Sequence, residues 1–124
     1  MRRPAEACVP YAIGVYLPSV VIVETRGFTK RICDLLSDDD YRHLQLELVR
    51  NPESGRVIPG TGGLRKLRWA ASGRGKRGGA RVIYFWHPKS QHLLMLFVYS
   101  KNERSDLTAA QRRALRTIVE TEYP

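Results

Sequence analysis

The sequence predicts an α+β domain in which an antiparallel, twisted sheet carries two N-terminal helices on one face and is followed by a C-terminal helix. Three observations lead there. Between residues 64 and 100, three β-branched and aromatic runs follow one another with no helical period. Ahead of them, apolar residues from Phe28 to Val49 recur at helical spacing. Behind them, Thr108 and Gln111 form a Thr-x-x-Gln capping box at the start of a last helical stretch. At 124 residues the chain can build one modest core and not two.

In chain order, residues 1–18 are expected to be an irregular extension, and residues 19–124 the folded domain. The start, MRRPAEACVPYAIGVYLPSVVIVE, joins two arginines to apolar residues as a secretory leader does. Three prolines and Glu6 interrupt it, so it is not expected to act as one. No stretch approaches the ~20 apolar residues of a membrane span. Ser19 to Glu24 is the first strand. After Gly27, Phe28, Ile32, Leu35 and Leu36 mark a helix that stops at Ser37. That serine, followed by Asp38, Asp39 and Asp40, suits the N-cap of a second helix with acids in its first turn. Tyr41, Leu44, Leu48 and Val49 give the second helix its stripe, and Asn51-Pro52 ends it.

The later strands are expected at about Leu64 to Ala70, Arg81 to His87 and Leu93 to Ser100. A basic glycine loop and Pro88-Lys89-Ser90 join them. The final helix is expected to reach about Glu122 and to bury Ala114, Leu115, Ile118 and Val119. Cys8 and Cys33 show no paired or metal-ligand spacing, which suits a reduced, cytoplasmic protein.

Charge narrows the function. The net charge is +9, and Ser54 to Asn102 holds ten Lys or Arg and no acid, so the rest of the chain sums to about −1. Solubility needs no such segregation of sign, whereas a polyanion partner does. Gly73, Gly75 and Gly78 match a dinucleotide fingerprint in spacing. A strand follows them where that fingerprint needs a helix. A phosphate-binding P-loop fails as well, because neither Lys66 nor Lys76 is followed by Ser or Thr.

No metal or other cofactor is expected. His43, His87 and His92 fall in three different elements, where solvent-facing roles suit them and a place near the site remains open for His87. The aspartates at 38–40 diverge around a helix end. The cations are more specific. Lys66 and Arg68, two apart on a strand, project to one face, and Arg81 opens the adjacent strand directly after the loop that carries Arg74, Lys76 and Arg77. Lys101, Asn102 and Glu103 end the third strand. Neighbouring antiparallel strands would gather these groups on one basic surface able to hold a nucleic-acid backbone. Such a surface could also cleave RNA without metal. A base would activate the 2′-hydroxyl, cations would stabilise the developing phosphorane, and an acid would protonate the leaving oxygen.

GTGGLRKLRWAASGRGKRGGARVIYFW followed by YSKNERSDLT resembles the HigB branch of the RelE/ParE toxin superfamily of bacterial type II toxin–antitoxin modules. The resemblance runs from about Val20 to the C-terminus. It implies a compact RelE-like fold and a ribosome-dependent mRNA endonuclease that cuts in the ribosomal A site. It also implies metal-independent attack by the 2′-hydroxyl and a HigA-type helix-turn-helix antitoxin. By the same resemblance Lys66 and Arg68 match the basic strand pair that includes the general base, with Lys66 the better base because arginine holds its proton. Arg81 matches a phosphate-stabilising arginine, and Lys101 and Glu103 the basic-then-acidic pattern after the last strand. Arg65, Arg74, Lys76, Arg77 and Asn102 then belong to the RNA- and ribosome-binding surface. Asn102 stands where relatives carry arginine and Thr108 where they carry tyrosine, so the general acid stays unassigned. The alternative on the same fold is a non-catalytic, ParE-like gyrase inhibitor, which has no chemical reason to keep Lys66, Arg68 and Arg81.

Overall fold

The computed structural model describes residues 2–4, 19–70, 79–103 and 106–124. Among these, six strands form one sheet: β1 (Arg2–Pro4), β2 (Val21–Thr25), β3 (Arg56–Val57), β4 (Arg65–Trp69), β5 (Ala80–His87) and β6 (His92–Ser100). Helices α1 (Arg26–Leu35) and α2 (Asp38–Arg50) lie between β2 and β3, and α3 (Ala109–Glu122) closes the chain. The α+β class is as expected.

Across the sheet the order is β1-β2-β6-β5-β4-β3. All neighbours run antiparallel except β2 and β6, which pair in parallel from Val21 opposite His92 to Glu24 opposite Met95. The wholly antiparallel expectation is corrected there. No hairpin links these two strands; the chain crosses through α1 and α2 first, and such a connection permits parallel pairing. A second difference lies at the N-terminus. Arg2–Pro4, inside the stretch expected to be irregular, pairs with β2 as an edge strand, while residues 5–18 lie outside the described residues.

Local chemistry sets the helix starts. Thr25 accepts a hydrogen bond from the Phe28 N–H at 3.2 Å, and Ser37 accepts one from the Asp40 N–H at 3.1 Å. Asp38, Asp39 and Asp40 fill the first turn of α2, where the helix dipole favours anions. The Thr108–Gln111 capping box forms in both directions, at 3.1 and 2.9 Å.

Each face of the sheet has its own core. On one face Phe28, Ile32, Leu44 and Leu48 of α1 and α2 pack on Ile22, Val82, Tyr84, Leu93 and Met95. On the other, Leu107, Leu115 and Val119 pack on Val23, Leu64, Ile83, Leu94 and Leu96. The two N-terminal helices thus share one face, as expected, and α3 covers the other. The buried seam of α3 is also narrower than the expected stripe, since Leu115 and Val119 are buried while Ala114 is exposed and Ile118 is 36% accessible.

A bulge in β6 reconciles the alternation with these two cores. Ile83 pairs with Phe97 but Tyr84 pairs with Met95, which leaves Leu96 as an extra residue. Leu96 and Phe97 consequently both join the α3-side core, and Val98 returns to the α1 side. At the turn before β4, Gly60, Gly62 and Gly63 adopt φ of 74°, 75° and 107°. Side-chain-bearing residues rarely reach that region, so GTGG sets the direction in which β4 begins.

Candidate nucleic-acid interface

The β4–β5 register decides which cations meet. Lys66 lies opposite Ile83, Leu67 opposite Val82 and Arg68 opposite Arg81. Leu67 and Trp69 pack against the α1–α2 core, and Ile83 belongs to the α3 core. Lys66, Arg68 and Arg81 therefore share the α3 face, at the end of the sheet where β4 and β5 enter the 71–78 segment.

Directly opposed residues place their Cβ atoms roughly 5 Å apart, and like charges so placed repel. Arg81 is also only 7% exposed, with Tyr99 as its direct neighbour on β6. The ion pairs among the described residues involve Arg31, Arg65, Lys66 and Arg116 rather than either of these two arginines. A groove of about 320 Å³ opens beside them, lined by Arg68, Trp69, Ala70, Gly79 and Arg81. Gly79 keeps it open, since a Cβ there would come within 3.1 Å of the Trp69 carbonyl and 3.6 Å of the Arg81 guanidinium. Trp69 holds its wall by donating from Nε1 to the Asp40 carbonyl at 3.2 Å.

Asp106, which spacing did not single out, supplies a carboxylate here. Its Oδ1 lies 3.5 Å from Lys66 Nζ and accepts the Leu107 N–H at 2.8 Å. That backbone hydrogen bond, with the Lys66 charge behind it, holds the carboxyl below its ordinary 3.8. The clue in the sequence was an acid two residues before a capping threonine, where it meets the positive end of α3.

The other expected residues divide. Arg65 points to the opposite face, donates to the carbonyls of Gly55 at 2.8 Å and Glu53 at 3.2 Å, and approaches the Glu53 carboxylate at 3.6 Å. Beside it the Tyr84 hydroxyl donates to Pro52 O and accepts from Gly55 N, and burial raises its pKa. Arg65 thus ties the 53–55 loop to the sheet. Lys101 and Asn102 are exposed in the turn after β6. Glu103 does not join the trio: its carboxylate accepts the Ser100 N–H at 2.9 Å and binds the Arg31 guanidinium of α1. These contacts, the Ser100 N–H foremost, lower its pKa from 4.5. Arg74, Lys76 and Arg77 lie outside the described residues.

The histidines are elsewhere. His43 is exposed on α2, whereas His87 stacks on Tyr123 at 4.6 Å and His92 Nδ1 lies 2.9 Å from the Tyr123 hydroxyl. At ~3.3 Å per strand residue, His87 is about 20 Å along β5 from Arg81, so the place left open for it near the basic site is not where it sits. Among the described residues no group of three or more His, Cys, Asp or Glu is arranged to hold a metal, and no helix is long and apolar enough to cross a membrane.

A basic groove on a mixed sheet, with α3 beneath it, is the architecture on which a family comparison bears. The model of the RelE toxin of the RelE/RelB toxin–antitoxin system matches residues 37–123, a span that runs from the N-cap of α2 through α3 and includes Lys66, Arg68, Arg81 and Asp106. The match covers well over half of the chain, and the protein belongs to this family of toxin–antitoxin toxins.

Proposed function

We propose that this toxin is a ribosome-dependent mRNA endonuclease of the HigB branch, cutting translated mRNA in the ribosomal A site through the groove at Lys66, Arg68 and Arg81. The observation that carries the reading is the direct opposition of Arg68 and nearly buried Arg81. Two arginines paired directly across neighbouring strands cost stability in the free protein and become favourable once a phosphate lies between them.

Lys66, as the free amine, takes the proton of the substrate's 2′-hydroxyl. The 2′-oxygen bonds to phosphorus, the bond from phosphorus to the 5′-oxygen breaks, and the products are a 2′,3′-cyclic phosphate and a 5′-hydroxyl that takes its proton from water, while the proton on Lys66 returns to solvent. Arg68 and Arg81 stabilise the negative charge that grows on the phosphorane oxygens, an effect worth roughly 10²–10³ in rate per donor in comparable anion sites. No metal enters this scheme. Glu103, held by Ser100 and Arg31, acts as a positioning residue for the turn that carries Lys101 and Asn102. Arg74, Lys76 and Arg77 add cations for contact with ribosomal RNA.

Such a toxin works in the cytoplasm, within residues 19–124, and is neutralised by a HigA-type antitoxin. Primer extension on a reporter mRNA in a bacterial translation extract tests the reading, using wild-type protein and Lys66→Ala, Arg68→Ala and Arg81→Ala variants with and without ribosomes. Cuts within codons that require ribosomes and fade in the variants are expected. Growth arrest with intact mRNA would overturn it and direct attention to gyrase supercoiling.

A further inference from the structure

A second basic hollow lies on the α3 side of the molecule, away from the groove. It measures about 190 Å³ and is lined by Pro59, Gly60, Ala109, Arg112, Arg113 and Arg116. Three arginines at this place are unfavourable for the helix alone. α3 carries no acid in its first turn, where the dipole favours anions, and Arg112 and Arg116 stand at the like-charge i,i+4 spacing that weakens a helix. Arg116 is held in place by Glu120 at 3.0 Å and by the Gly60 carbonyl at 3.2 Å. The Arg112 charge also helps hold low the carboxyl of Asp106, which lies 3.5 Å from Lys66. The hollow and the groove thus lie on the same face of the sheet with Asp106, which feels the charges of both Arg112 and Lys66, to link them, and a strand of RNA that spanned both would follow a track past that residue.

We propose that this hollow is a second phosphate subsite, in which Arg112 and Arg113 hold the backbone of the same single-stranded RNA that enters the groove. The inference rests on the nucleic-acid reading of the groove. Guanidinium groups suit phosphate because their planar N–H donors pair with two oxygens at once. A continuous strand supplies anions at regular intervals along the track, which one isolated anion would not.

The test is fluorescence anisotropy with a labelled single-stranded 2′-O-methyl RNA, which cannot be cut through its own 2′-hydroxyl, titrated over a range of KCl. Each phosphate contact on a single strand contributes about 0.7 to the slope of log K against log salt, so Arg112→Gln/Arg113→Gln should lower that slope by about 1.4. Arg112→Lys/Arg113→Lys should restore most of it, which separates lost charge from lost fold. Arg42→Gln/Arg50→Gln, on the exposed surface of α2, should leave it unchanged. An unchanged slope in the Gln pair alongside a lower one in Arg68→Gln would overturn the subsite and spare the groove. An unchanged slope in both would overturn both. If the Gln pair weakens binding of poly-L-glutamate and not of RNA, the hollow is a surface for acidic protein and the proposal fails.

Discussion

Arg68 and Arg81 oppose each other across two strands, and this repulsion has a measurable signature. Arg68→Thr removes one charge at an exposed strand position where a β-branched residue fits. It should stabilise the protein by about 0.2–1 kcal/mol in urea melts at low salt, a gain that shrinks as salt screens the pair. Ribosome-dependent cleavage should fall by ~10²-fold or more in the same variant. A variant that loses both stability and cleavage would mark Arg68 as a structural residue. Asp106 and Glu103 offer a second readout. Both carboxyls are held below their ordinary 3.8 and 4.5 by backbone N–H donors and nearby cations. Depressed folded-state values mean that the stability they lend is present above those ordinary values and is lost as the pH falls through the lower folded ones. Carboxyl chemical shifts followed by NMR should give midpoints below 3.8 and 4.5, and Arg31→Gln should move the Glu103 midpoint upward. At this scale the sequence showed Lys66, Arg68 and Arg81 plainly, because a strand puts alternate residues on one face. Period-two reasoning could not show that Glu103 would turn to α1 or that Asp106 would reach Lys66, since both lie in irregular backbone after β6.

Thr108 is best judged as part of an element. Its hydroxyl caps α3, and under the proposed function the same hydroxyl stands where the resemblance drawn from sequence places a tyrosine. Thr108→Asn keeps a good cap without a hydroxyl, while Thr108→Ala removes the cap at a cost of ~1 kcal/mol. If Thr108 only caps, Asn should preserve both stability and primer-extension cuts, and Ala should lower the melting temperature without changing the cleavage chemistry. Loss of cutting in Thr108→Asn would instead assign the hydroxyl to the reaction. Elements whose ends carry side-chain caps were legible from sequence for this reason: Ser37, Thr108 and Gln111 announce their helices locally. The partners of an element are less legible. The parallel pairing of β2 with β6 depends on residues some seventy positions apart, and the pairing of Arg2–Pro4 with β2 depends on a strand too short to show a period.

For the whole molecule, the division of charge between the segments has a kinetic consequence. A segment from Ser54 to Asn102 whose ten positive charges exceed the net +9 steers the chain toward polyanions, so its association rate with ribosomes should fall steeply as ionic strength rises. Stopped-flow mixing at several salt concentrations would show this, and a flat response would argue that the basic surface does not lead the encounter. The two-sided packing explains how such a surface coexists with a stable fold: the α1–α2 core lies on one face of the sheet and the α3 core on the other. Leu44, fully buried in the first of these, should cost about 2–5 kcal/mol when changed to Ala. The bulge at Leu96 has a further consequence, for inheritance. Losing that single residue would leave the reading frame of a gene intact and the frame of the strand with it, because Phe97 would follow Met95 in plain alternation and Val98 and Tyr99 would keep their sides of the sheet. A three-nucleotide deletion here would trim the bulge and spare the two-sided pattern, where the same loss at a paired position of the strand would turn every later residue over.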